Sequence, residues 1–325
     1  MPVQTVATAP DGSDVHEVSL QNDQMSARLL TFGASLRDLR LEGIEHPLVL
    51  GFDAVEDYFT RAAYLGPIVG PVANRIRGGC LPVGGQTLQL DQNEQGANTL
   101  HGGRLGCAML NWQLEDADET AATFALTLPD GHMGFPGPIT IKARYNIHGA
   151  GLELTLAATS EVATVCTLAP HPYFNLDGST TIEHHRLMVH ADQRLPLIGG
   201  LPSGAPVRVA KTSYDLRTPQ PVPLGLDDHF CLSDGRTLMR PIASLEAGNL
   251  RMDVQSTEAG LQIYDAGAMD LPGIGLDGRS YGPRAGVALE PHAWVDAPNQ
   301  PWRAQVDLLP DEPALAHTRF EFTKL

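Results

Sequence analysis

The segment "ITIKARYNI", residues 139–147, has an apolar side chain at every second position, and this alternation recurs along the whole chain. "HEVSLQ", "MSARLLTF", "ATFALTL", "LELTLAAT", "RLMVHA", "LQIYDAG" and "TRFEFTKL" carry the same period. Period two marks a strand with one face on a core, because successive side chains leave a pleated backbone on opposite sides. Turn-forming clusters separate these segments: "PDG", "LPVGG", "PDGHMGFPG", "HGAG" and "NLDGS". The 33 glycines and 25 prolines suit many strands joined in this way. No long amphipathic helix is evident, and only "AVEDYF" has the pattern of a short one. The expected fold class is therefore all-β. It is expected as one large antiparallel domain over residues 1–325, since no linker or shift in composition interrupts the strand signals. The absence of a fixed-period repeat argues against a propeller.

A chain of 325 residues can bury a substantial core. Its net charge of −16 argues against a nucleic-acid or anionic-membrane partner, since both need basic patches. It also gives no long-range help to a phosphorylated substrate. The first twenty residues lack the basic start and apolar core of a signal peptide, and no apolar run approaches a bilayer span. A cytoplasmic protein is the resulting expectation. Cys80, Cys107, Cys166 and Cys231 are scattered with no CxxC pair, which reads as buried free thiols rather than a zinc site or disulfide framework.

Four stretches carry polar residues that a plain β domain does not need. In "GPIVGPVANRIRGG", residues 66–79, Asn74 and Arg75 stand in an apolar, glycine-rich run. A guanidinium there is either a fixed planar donor or a solvated surface group. The run lacks the Gly-Lys-Ser/Thr ending of a phosphate-binding loop. In "NTLHGG", His101 precedes two glycines, which let backbone approach a ligand closely, although a histidine in a plain turn has the same signature. In "APHPYFNLDG", His171 lies between Pro170 and Pro172, whose fixed φ angles suit a held acid or base as well as a core-edge histidine. In "ALEPHAWVDAPNQP", Glu290 follows an apolar strand-like run, although glutamate is rarely buried without a partner. It is either a solvated strand end or a carboxylate carried into a site. "GLDDHF" adds Asp227 and Asp228, and "LQIYDAG" adds Gln262. Glu183, His184, His185 and His190 crowd together in "EHHRLMVH", but without the helical His-Glu-x-x-His spacing of a metal site. Neither a Gly-x-Ser-x-Gly element nor a Cys-His signature supports nucleophilic catalysis.

Taken together and in this order, these stretches resemble the aldose 1-epimerase (galactose mutarotase) family. The resemblance runs from "LLTFGASLRDL" and "VLGFDAVEDY" through "ANRIRGG", "NTLHGG", "GFPG", "HPYFNL" and "PSG" to "LQIY" and "LEPHAWVDAPNQP". It implies a large β-sandwich, a supersandwich, with an open cleft for a small-molecule sugar. It implies interconversion of the α and β anomers of a free aldose such as galactose or glucose, with no cofactor and no metal. A monomer or a homodimer is expected. Carried over residue by residue, Glu290 falls on the family's general base and His171 on its general acid. Arg75, His101 and Asp227 fall on sugar-binding positions, and Asn74 and Gln262 on polar positions lining the same pocket. Asp227 is chosen over Asp228 because it lies three residues before Phe230.

The chain departs from the family pattern in several places. Pro71 stands where an arginine is common, and Pro291-His292 where Thr-Gln or Pro-Gln is common. "LLPDEP" replaces the usual Pro-Gly-Glu, and "PHPYFNL" has proline at the entry to its histidine. His292 is accordingly expected near the cleft, where it would alter sugar preference. Three other readings compete. A hexose-phosphate 1-epimerase is disfavoured by the acidic balance and the lack of an extra arginine cluster. A non-catalytic sugar-binding β-sandwich would be free to lose Glu290 or His171, and both are present. A glycoside hydrolase needs two carboxyls flanking the scissile bond, whereas the best partner of Glu290 is a histidine.

Overall fold

The computed structural model describes residues 3–60, 64–272 and 274–325, and each of the alternating segments lies on a strand of it. Ile139–His148 shows the expected pattern most plainly, with buried positions at every second residue and partly or fully exposed ones between. It belongs to a nine-stranded antiparallel sheet. In spatial order the strands are Gln113–Ala117, Ala121–Leu128, Ile139–His148, Gly151–Ser160, Ala314–Lys324, Leu250–Ser256, Arg240–Ala247, Arg186–Val189 and Gln220–Pro221. The C-terminal strand is thus central. It pairs with Gly151–Ser160 from Gly151 opposite Glu321 to Ala158 opposite Ala314, and on its other side with Leu250–Ser256.

A second, six-stranded sheet runs Tyr173–Phe174, Val287–His292, Gly260–Tyr264, Asp227–Cys231, Gln193–Leu195 and Val207–Arg208. Alternation on its middle strands sends Val287, Leu289, Leu261, Ile263 and Phe230 into the main hydrophobic core. The same core takes Phe124, Ile141, Tyr145 and Phe320 from the nine-stranded sheet. Phe174 meets Phe320 across the two layers, with ring centroids 5.0 Å apart. This is the sandwich contact, and its apolar burial is the main force holding the sheets face to face. The other side of the six-stranded sheet carries Asp227, Gln262, Tyr264, Ala288 and Glu290.

Four consecutive hairpin-linked strands, Val3–Thr8, Asp14–Gln21, Met25–Leu30 and Ser35–Leu41, form a further sheet. Among the described residues the α-helical content is one turn, Asp57–Thr60, overlapping the "AVEDYF" segment. No helix there is long and apolar enough to cross a membrane. Cys107, Cys166 and Cys231 are buried free thiols, and Cys80 is half-buried.

Candidate active site

Glu290 stands in Val287–His292, a strand buried at all six positions. Val287 and Leu289 enter the core, so alternation turns Glu290 to the opposite face, where Gln262 lies directly across the ladder. One strand further on, Asp227 accepts a 2.6 Å hydrogen bond from Gln262 Nε2. Three adjacent strands therefore present a carboxyl, an amide and a second carboxyl on one surface. Asp228, the next residue along, points away and pairs with Arg194 Nη1 at 2.9 Å.

His171 approaches this surface from Ala169–Pro170 and the residues following it. Its backbone N–H donates to Pro67 O and its carbonyl accepts from Gly66 N–H, both at 3.0 Å. With prolines on either side, the backbone has little freedom. The ring is only 4% exposed and lies beside Tyr64, Tyr173 and His101 at centroid distances of 5.8, 5.1 and 5.4 Å. Its Nε2 is 3.4 Å from Glu290 Oε1. Its Nδ1 and the second Glu290 oxygen have no protein partner among the described residues.

Asn74 and His101 are locked to each other. Both take left-handed backbone angles, with φ of 61° and 51°, a region that asparagine and histidine enter more readily than most residues. His101 N–H donates to Asn74 O at 2.9 Å, and Asn74 N–H donates to His101 Nδ1 at 3.1 Å. Because Nδ1 accepts, a neutral His101 carries its proton on Nε2 and is a donor there. Gly102 makes this turn possible: its φ is +84°, and a Cβ would lie 2.1 Å from Gly70 O. Arg75 follows on the two-residue strand Arg75–Ile76, with its N–H on Asn74 Oδ1 at 2.9 Å.

These seven residues, Asn74, Arg75, His101, His171, Asp227, Gln262 and Glu290, all line one cleft of about 520 Å³, within the usual size range of small-molecule sites. Burial dominates its electrostatics. It pushes the Glu290 carboxyl well above its ordinary 4.5, helped by the nearby Asp227 charge and opposed by Arg75. Burial also lowers His171 to about 4 and holds His101 well below 6.5. Asp227 is raised by burial, against the pull of Arg75 and the Gln262 hydrogen bond. Each group is thus biased towards its neutral form.

His101, His171 and Glu290 bring ligand-type atoms within 4.8 Å of one another. They nevertheless do not fit a metal ion well. His101 spends its Nδ1 lone pair on Asn74 N–H, so its Nε2 is protonated and is not a ligand. A donor, a neutral imidazole and a carboxyl in this arrangement suit a hydroxylated molecule. In "EHHRLMVH" the residues separate: His185 is buried and accepts from Leu176 N–H at 2.8 Å, while Glu183, His184 and His190 are exposed.

His292, expected near the cleft, is fully buried and does not line it. It lies two ladder rows beyond Glu290, opposite Gly260, where it meets the His229 ring at 4.9 Å rather than the open space. Its Nδ1 hydrogen-bonds Ala293 O. Pro71 is likewise buried away from the cleft. Five groups absent from the sequence reading complete the lining: Tyr64, Leu100, Tyr173, Tyr264 and the 268–271 segment with Asp270. Tyr264 follows Gln262 by two positions on one strand, so alternation was an available signal for it, whereas His171 lies outside the short strand Tyr173–Phe174. Tyr64 and Asp270 come from connecting segments, with no local pattern to mark them.

The family model described as aldose 1-epimerase matches residues 16–321. The chain is 32% identical over 326 residues to the galactose mutarotase of Bos taurus, covering 95% of this chain and 94% of that one. It is 31% identical to the aldose 1-epimerase of Escherichia coli strain K12, covering 98% of each. A solved galactose 1-epimerase from Lactobacillus acidophilus superposes with a TM-score of 0.86 at 27% identity, covering 99% of this chain and 98% of that one.

Proposed function

The chain belongs to the aldose 1-epimerase family, and from that premise we propose how its cleft interconverts the α and β anomers of a free aldose. Glu290 takes the proton of the anomeric hydroxyl as the C1 carbonyl forms. The bond from C1 to the ring oxygen breaks, and protonated His171 delivers its proton to that oxygen. Rotation about C1–C2 presents the other carbonyl face, and reclosure runs both transfers backwards. The ring-opening step converts a carboxylate and an imidazolium into a carboxylic acid and a neutral imidazole. Burial favours that neutral pair, so the surroundings that raise Glu290 and lower His171 drive both proton transfers once the ionised pair faces the sugar, while holding the resting pair largely neutral.

The remaining groups hold the sugar. His101 Nε2–H and the Arg75 guanidinium donate to its oxygens and stabilise charge as it develops there. Asp227 accepts from hydroxyls, with Gln262 fixing its orientation. Asn74 sets the His101 tautomer. The tyrosine rings flank the cleft with flat apolar faces suited to sugar C–H surfaces.

The observation that carries this reading is the 3.4 Å approach of His171 Nε2 to Glu290 Oε1 inside a cleft of sugar size. A neutral monosaccharide is favoured over a sugar phosphate because Arg75 is the one guanidinium or ammonium group among the described lining residues. Polarimetry on freshly dissolved α-glucose, α-galactose and other aldoses tests the activity. Acceleration over buffer is expected for at least one of them, and none across the panel would refute it.

A further inference from the structure

This inference rests on the reading above and concerns what stands behind Arg75. Glu94 does not line the cleft, yet its Oε1 accepts from Arg75 Nε at 2.8 Å and stands 2.8 Å from Nη2 in an ion pair. The carboxylate is itself held in place. Its Oε2 accepts from Asn98 Nδ2 at 3.1 Å, and the two backbones exchange hydrogen bonds at 3.1 and 3.3 Å. Gly200 packs so closely against the guanidinium that a Cβ there would lie 2.4 Å from Nη1. Arg75 is therefore clamped by a charge on one edge and backbone nearby. The Glu94 charge also reaches the cleft: after burial, it is what raises the Tyr64 hydroxyl, and it adds to the raising of Asp227.

We propose that Glu94 is a positioning and specificity-determining residue, which aims Arg75 at neutral hydroxyls and cancels its charge so that anionic sugars are rejected. A free arginine offers a planar fork that binds carboxylate or phosphate through two charge-assisted hydrogen bonds. Here the Nε–Nη2 edge of that fork is already taken by Glu94. The donors that remain face a cleft whose other ionisable lining side chains include the carboxyls of Asp227, Asp270 and Glu290 and no second guanidinium or ammonium group among the described residues. An added negative charge on the ligand finds no uncompensated cation there, whereas a hydroxyl needs none.

The test compares wild type, Glu94→Gln and Glu94→Asp, with glucose and galactose as neutral probes and glucuronate and glucose 6-phosphate as anionic ones. Mutarotation kinetics give kcat and KM for the neutral sugars, and calorimetry gives affinity for all four. In Glu94→Gln, anionic affinity relative to neutral is expected to rise about tenfold or more, about one decade in Kd. KM for glucose should rise several-fold with kcat nearly unchanged, and Glu94→Asp should recover the neutral preference. An unchanged ratio in a folded Glu94→Gln protein would overturn the inference, as would a wild type that binds glucuronate as tightly as glucose. A wild type that accelerates no aldose would defeat the functional reading instead, while the calorimetric ratio would still decide the role of Glu94.

Discussion

His171 Nε2 and Glu290 Oε1 stand 3.4 Å apart, with side chains only 5% and 3% exposed. They reach this distance from different parts of the fold. Glu290 is carried by an inner strand of the six-stranded sheet, and His171 by a proline-bracketed segment tied to Gly66 and Pro67. Among the described residues neither group has another ion-pair partner at contact distance.

Glu290→Gln should lower kcat for mutarotation by about 10²- to 10⁴-fold, the usual contribution of a positioned acid or base. His171→Gln should fall in the same range. The amide keeps the shape and removes a buried ionisable group, so thermal midpoints should hold or rise. Polarimetry with a parallel melting curve separates the two effects. Full activity in Glu290→Gln would remove it from the mechanism.

His101→Phe should cost about 10²-fold in kcat/KM, the scale for losing one donor to developing oxygen charge. The tautomer sets this cost: Asn74 N–H on Nδ1 leaves Nε2–H as the donor of a ring that lines the cleft. Phenylalanine retains the ring's volume but has no such donor. A loss of only two- or threefold would show that His101 packs rather than binds.

The buried histidines should contribute stability that rises with pH between about pH 4 and 6.5, against the opposite slope of the raised carboxyls Glu290 and Asp227. His171, His185 and His292 are each lowered from 6.5 to about 4, mainly by burial. In that window the unfolded chain binds more protons at these sites than the folded one, so acid drives unfolding. Their contribution is complete above pH 6.5 and lost as pH falls through 4. Urea midpoints measured across this range should climb less steeply in His292→Gln than in wild type. Equal slopes would mean that His292 is protonated in the folded protein.

Gly260→Ala should destabilise the protein by about 1–3 kcal/mol through overpacking. A Cβ at this position would lie 2.1 Å from His229 Nε2 and 3.0 Å from His292 O. At Gly235 no heavy atom lies within 4 Å of an added Cβ, so Gly235→Ala should stay within about 0.5 kcal/mol. Chemical denaturation of both variants checks the contrast, and similar losses would refute it.

Much of the fold was legible in local pattern. Alternation such as that of "ITIKARYNI" identifies a strand and its buried face without reference to any neighbour, because the pleat is a property of the backbone itself. Pairing was not legible. Nothing local says that Gly151–Ser160 and Ala314–Lys324 lie side by side, since contacts so distant in sequence depend on closing the whole sandwich. The site divides similarly. Glu290, His171, His101 and Arg75 stood out because their neighbours are glycines, prolines or apolar residues. Glu94 did not, because a glutamate in "DQNEQG" looks like any solvated turn residue until Arg75 is brought against it.

His292 shows the same division at the scale of two residues. By itself, "LEPHAW" places Glu290 and His292 on one face of a strand, and that much is correct. Only the tertiary structure decides that the first opens onto a cleft and the second onto the His229 ring. Period and residue type are carried by the chain, so the sequence determined the strands, their faces and the kind of chemistry available. Which groups meet, which are dehydrated and which proton each holds depend on atoms supplied from elsewhere in the chain. Those were decided by packing.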